Sequence, residues 1–115
     1  MLRAWLECEV PVPLGVACVR NNGNQDQILN FKTATWVKLP DDGMPLIDQW
    51  IKATHYGPVG GIISGTYRVD LPEIACEGYP ALMVLELDGM GNILNRQTTV
   101  AIEILYRKAS VSLSR

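Results

Sequence analysis

Histidine is almost missing from this chain: His55 stands alone among 115 residues. Cysteine is scarce too, with Cys8, Cys18 and Cys76 widely spaced and no C-x-x-C among them. Zinc sites draw closely spaced ligands mostly from these two residue types, so no metal site is expected. No run of Lys or Arg exists. The 10 basic residues are scattered against 12 acidic ones, for a net charge of −2. A phosphate backbone needs clustered positive charge, so nucleic-acid binding is not expected. No apolar stretch approaches the roughly 18 residues of a membrane span. Glu7 and Glu9 lie where a signal peptide needs its apolar segment, so no secretion signal is expected.

Chemistry-bearing motifs are equally thin. Gly60-Gly61 and Gly65 are followed by no lysine and open no helix, unlike a phosphate loop. Asp88-Gly89-Met90-Gly91-Asn92 has neither the spacing nor the ligand number of an EF-hand. His55 beside Tyr56 has no recognisable nucleophile motif to serve, and reads as a surface or packing residue. Glu7 and Glu9 are roughly 7 Å apart if extended. Glycosidase chemistry would need such a pair set across a cleft, and two acids on one strand face more often guard an edge. The expectation is a protein that is not an enzyme and holds no cofactor.

What is present is ordinary globular material, 48% hydrophobic and 19% charged, long enough for one core. A single domain over 1–115 is expected. Its centre is Gly65 to Asn92. Thr66 to Leu71 alternates, with Tyr67, Val69 and Leu71 on one face, and Pro72 ends that strand. Leu82 to Leu87 is a near-continuous apolar run, as in a strand covered on both faces. Between them, Gly78-Tyr79 has the layout of a tyrosine corner, whose hydroxyl bonds back to the 70–77 connection. Asp88 to Asn92 reads as a hairpin turn with two glycines free to take positive φ.

Elsewhere, Arg3 to Val10 alternates and is broken by Pro11 and Pro13, which predicts a first strand protected as an edge. Leu14 to Arg20 is a second strand, and Asn21 to Asp26 a polar turn. Ile28 to Leu39 reads as one strand with Leu29, Phe31, Thr33, Thr35 and Val37 on a common face opposite Trp36. Thr98 to Arg107 alternates, with Val100, Ile102, Ile104 and Tyr106 inward, and Val111 to Ser114 is an edge or a tail. Asp41 to Pro58 is ambiguous. Capping signals and a stripe of Leu46, Ile47, Trp50, Ile51 and Thr54 favour a helix. Alternation over 47–56 favours a strand, with Ile51, Ala53 and His55 facing away from Trp50, Lys52, Thr54 and Tyr56. Two fold classes follow. One is an antiparallel, Ig-like β-sandwich of about seven strands. The other is an α+β fold, an antiparallel sheet with one helix at about 44–56. Cys18 with Cys76 is the only disulfide a sandwich would suggest. Cys76 precedes Tyr79, whereas the Ig cysteine follows its tyrosine. Free, buried thiols in a reducing compartment are therefore expected.

The order L-N-F-x-T-x-T-W, Q-W-I-x-A-T-x-Y-G, G-T-Y-R-V-D-L-P, E-G-Y-P-A-L-M-V and D-G-x-G resembles Ig-like all-β modules of tailed-phage virion proteins, the baseplate, tail and head-decoration parts. Gly65, Tyr67, Pro72, Gly78 and Tyr79 carry the likeness, with Asn30, Phe31 and Trp36 in the earlier strand. It covers about residues 12 to 105 and moves the 47–56 stretch to strand. The resemblance implies a structural or adhesive role in a virion, with protein partners in a homo-oligomer or virion lattice and no catalytic residues to carry over. The alternative is a small cytoplasmic α+β protein that dimerises or binds a ligand. Core packing is expected for at least two of Trp5, Trp36 and Trp50, and an exposed one would be the binding residue. The C-terminal ribbon carries little charge and no proline. Ala101, Ile102, Ile104 and Leu105, with Trp5, are the expected interface.

Overall fold

A computed structural model describes residues 2–8, 13–55, 65–78, 80–101 and 108–110. Its regular structure is β throughout, apart from two short 3-10 turns at Ile47–Gln49 and Glu73–Cys76. The strands are β1 (Leu2–Cys8), β2 (Leu14–Asn22), β3 (Gln25–Asn30), β4 (Thr35–Lys38), β5 (Ile51–Lys52), β6 (Thr54–His55), β7 (Gly65–Leu71), β8 (Ala81–Leu87), β9 (Ile93–Ala101) and β10 (Lys108–Ser110). Six of them pair in the order β4-β3-β2-β8-β9, with β5 joined to β2. The other four run β10-β1-β7-β6. Every pairing is antiparallel except β1 with β10.

The alternation of the sequence decides which side chains meet. Leu14, Val16 and Cys18 of β2 and Leu82 and Val84 of β8 join Tyr67, Val69 and Leu71 of β7 in one buried cluster. The residues between them in β2 and β8 look the other way. Ala17, Met83, Leu85 and Leu87 form a second cluster with Ile28, covered by Trp50, Val37 and Leu39. The apolar run of β8 is therefore covered on both faces, as a period-free hydrophobic strand requires. Tyr67, Val69 and Leu71 are buried together as their spacing predicts, and the strand ends at Pro72.

The helix over 44–56 does not form, so the α+β alternative is corrected. The stretch makes a three-residue 3-10 turn and then two strand fragments. β5 pairs with β2, and β6 pairs with β7. The chain passes from one set of strands to the other at Ala53, which is buried and whose N–H donates to the Leu14 carbonyl at 2.9 Å. Tertiary hydrogen bonds on both sides of one residue outweigh local capping signals. The face expected from strand alternation is observed: Ile51 and Ala53 pack on the first cluster, Trp50 on the second.

Two further expectations are corrected. Ile28 to Leu39 is not one strand but β3 and β4 joined by a turn at 31–34. The Asn30 carboxamide oxygen accepts from the N–H groups of Lys32 (2.9 Å) and Thr33 (3.0 Å), and Ala34 takes φ 55°. This Asx turn reverses the chain and shifts the phase. Leu29 and Trp36 share the first cluster, and Val37 belongs to the second. Nor is β1 an edge: β7 lies on one side of it and β10 on the other. The Asp88 turn is as expected, but only Gly91 of its two glycines has positive φ (84°). Tyr79, and the residues of 102–107 and 111–115, lie outside the described residues, and with them the corner hydroxyl and the inward face of the C-terminal ribbon.

Candidate functional site

The most elaborated surface lies at the end of the β2–β3 hairpin. Gly23 opens its two-residue connection with φ 68°, the conformation that lets a short hairpin turn follow the twist of its strands. Asn21 stands opposite Asp26, and its Nδ2 donates to Asp26 Oδ1 at 2.9 Å. The Asp26 carbonyl accepts from the Leu39 N–H at 2.9 Å, which ties the chain after β4 to the same end. A cavity of about 330 Å³ opens there, with an apolar floor of Val19, Leu39, Ala81 and Met83 and a polar rim that includes Asn21 and Asp26. A second cavity of about 350 Å³ shares Asp26 and Leu39 and continues past Lys38 and Asp41. Together they make a groove with an apolar seat and a mixed-charge rim.

On the opposite face of the same hairpin, Arg20 continues the phase of Leu14, Val16 and Cys18. Its guanidinium lies 4.3 Å from the centre of the Trp36 ring. Nε donates to Gln27 Oε1 at 2.9 Å, and Nη1 to the Glu77 carbonyl at 3.2 Å. Trp36 Nε1 donates to the Ile74 carbonyl at 3.2 Å. One cation and one indole thus hold the connection between β7 and β8 down onto β2 and β4. Planar guanidinium geometry allows this stacking and forked donation together. Beneath this layer is Cys18, fully buried; burial first, and the nearby Cys76 second, push its thiol from about 9 up to about 12. Neither cysteine is in a disulfide, and Cys76 is only partly covered.

At the other end of the six-stranded sheet, Asp88 organises the β8–β9 turn. Its Oδ1 accepts from the N–H groups of Met90 (2.8 Å) and Asn92 (2.9 Å). Donation by the Asn92 backbone, followed by that of Met90, holds its carboxyl below the ordinary range despite some loss of hydration. The turn displays Met90 with 88% of its surface exposed. Leu46 and Ile47 are displayed likewise, Ile47 at 86%, on a turn fixed by Gln49, whose Oε1 accepts from the Leu46 N–H at 2.9 Å.

The residues singled out from sequence fall as follows. Trp36 and Trp50 are half-buried against the two clusters, which matches core packing for two of the three tryptophans. Ala101 ends β9, opposite Ala81. The Trp5 backbone stands between Arg68 and Lys108 in register. Ile102, Ile104 and Leu105 lie outside the described residues. The His55 backbone pairs with Tyr67 in β6. Sequence reasoning passed over Arg20, Gln27, Asn21 and Asp26. The signal available was the phase of β2, which puts Arg20 in line with three core residues. Among the described residues no group of three or more His, Cys, Asp or Glu could hold a metal, and no helix is long and apolar enough to cross a membrane.

Fold and surface together define an all-β, largely antiparallel protein with an apolar groove at one hairpin end. No protein-family model matches the chain, and no curated protein or solved structure matches it either.

Proposed function

We propose that this chain is a non-catalytic structural module of Ig-like β-sandwich type that acts through protein–protein contacts, as a homo-oligomer or in a virion lattice. The observation that carries the reading is β9. Among the described residues it is the last strand of the six-stranded order, nine residues long, with no proline in it and Arg96 as its one charge. A long terminal strand of that composition offers a row of backbone groups to another chain. Two features support it. Turns tied by Asp88 and Gln49 hold Met90, Leu46 and Ile47 out from the fold in fixed positions. The pairing of β1 with β10 also puts the Trp5 backbone opposite Lys108, and the proposed contact set is Trp5, Ala101, Ile102, Ile104 and Leu105. The likeness to tailed-phage virion modules makes the virion the proposed location.

Light scattering of the purified chain over a wide concentration range tests the reading. A mass of two or more chains, reduced by Thr98→Lys in β9 with the far-ultraviolet dichroism unchanged, is the expected result. A monomer at every concentration that also fails to join any particle of its own source overturns it.

A further inference from the structure

We propose that Cys18 and Cys76 form an oxidation-sensitive thiol pair, which a peroxide-class oxidant joins into an intramolecular disulfide that fastens the 73–78 connection to β2. This inference is independent of the assembly role.

The geometry brings the two residues to one place. Cys18 is buried in the first cluster, and Ala75, the neighbour of Cys76, is buried in the same cluster. Two bonds bracket Cys76. On one side the Ile74 carbonyl accepts from Trp36 Nε1, and on the other the Glu77 carbonyl accepts from Arg20 Nη1, both at 3.2 Å. Gly78 lies against Arg20 so closely that a Cβ there would stand 3.1 Å from Arg20 Cδ. Arg20 is two residues beyond Cys18 on the same face of β2, one repeat of the strand. The connection therefore runs along the Cys18–Arg20 row, and Cys76 falls beside Cys18. The effect of Cys76 on the Cys18 thiol is the electrostatic sign of that nearness.

The two thiols are unequal, and this sets the order of events. Cys76 is partly exposed and Cys18 has no exposed surface. Reactivity follows thiolate character and access, so the oxidant meets Cys76 first. The Cys76 thiolate attacks one peroxide oxygen, giving the sulfenic acid and, after one proton is taken up, a water. The Cys18 sulfur then attacks the Cys76 sulfur. Its proton and the departing hydroxide leave as a second water. Two thiols and one peroxide become one disulfide and two waters, and two electrons pass from sulfur to oxygen. A dithiol reductant returns both thiols. The short 3-10 turn at Glu73–Cys76 is the part that shifts to close the bond, because β2 is held on both sides by strands.

The test uses the full chain, reduced, freed of reductant and treated with hydrogen peroxide without denaturant. The expected product is a monomer lighter by two hydrogens, with a Cys18–Cys76 linked peptide. Its melting temperature is raised by more than about 5 °C, because the bond closes a long loop of the unfolded chain. Dithiothreitol reverses both changes. Cys76→Ser, at a partly exposed site that leaves the core intact, abolishes both, and Cys8→Ser leaves both in place. Three results overturn the proposal: a Cys76 oxidised to sulfinic acid without a cross-link, a linked peptide containing Cys8, or a disulfide between two chains.

Discussion

The indole of Trp50 lies on Gly15: a Cβ built on Gly15 would stand 2.6 Å from Cε3 and 2.9 Å from Cζ3 of that ring. Gly15 sits between Leu14 and Val16 in β2, at a position whose side chain would point to the second cluster. The missing side chain makes room for the ring that covers Ala17 and Leu85. Gly15→Ala is therefore an overpacking substitution and is expected to cost about 1–3 kcal/mol in urea unfolding. Trp50→Leu has its own cost, but in the double variant the two costs fall short of additive. Full additivity would show that the ring does not need the gap.

Arg20 is expected to be worth more than a surface arginine. Arg20→Met keeps the aliphatic stem and removes the contacts to Gln27, Glu77 and the Trp36 ring. A loss of about 1–3 kcal/mol is expected from these together. A double-mutant cycle with Trp36→Leu should give a coupling of about 0.5–2 kcal/mol, and a coupling near zero would assign the loss to the hydrogen bonds alone.

Ala34 holds φ 55° at the close of the β3–β4 turn. The left-handed region costs a residue with a Cβ about 1–2 kcal/mol, part of which glycine returns through its freer unfolded chain. Ala34→Gly is expected to stabilise the protein by about 0.5–1 kcal/mol. Asn30→Ala, which removes the acceptor of two turn hydrogen bonds, is expected to destabilise it by about 1–2 kcal/mol. Chemical unfolding of the pair checks both signs.

That turn also shows where sequence reading succeeds and where it stops. The faces of β7 and β8 were legible because Tyr67, Val69 and Leu71 alternate and Leu82 to Leu87 do not. Both patterns follow from how many faces of a strand are buried. The break inside Ile28 to Leu39 was not, because it depends on one short side chain, Asn30, bending back on its own backbone. Alternation continues through 31–34 in the sequence and changes phase only in space. Residues 47–55 were legible only as a contest between helix and strand. Its outcome rests on hydrogen bonds to residues far along the chain, such as Ala53 to Leu14. The groove at the hairpin end is assembled from four separate stretches, and no local pattern announces it.

Alkaline conditions should weaken the fold through Cys18. The folded chain keeps that thiol protonated up to about pH 12. An unfolded chain releases the proton near pH 8.5. Between these values the unfolded state binds fewer protons, so stability falls as pH rises. The contribution is complete below about pH 8 and drains away toward pH 12. Urea unfolding between pH 7 and 10 should show the decline in the wild type and a shallower one in Cys18→Ala. Equal slopes in the two proteins would show that other groups govern the alkaline limit.

The placement of β1 has a consequence for how the protein comes into being. Leu2 pairs with Leu71, and Trp5 with Lys108, so β1 finds its neighbours among strands made well after it. At a synthesis rate of about 5–20 residues per second, β1 waits several seconds on the ribosome before β7 exists. The β2–β3 hairpin needs no such wait, because its partners are separated only by Gly23 and Asn24. The β2–β3 pair can therefore form early in synthesis, while β1 has no antiparallel partner until a distant segment arrives. Such long-range pairing slows folding. A nascent chain stalled before residue 65 would present β1 without its antiparallel partner, an open strand for chaperones to shelter.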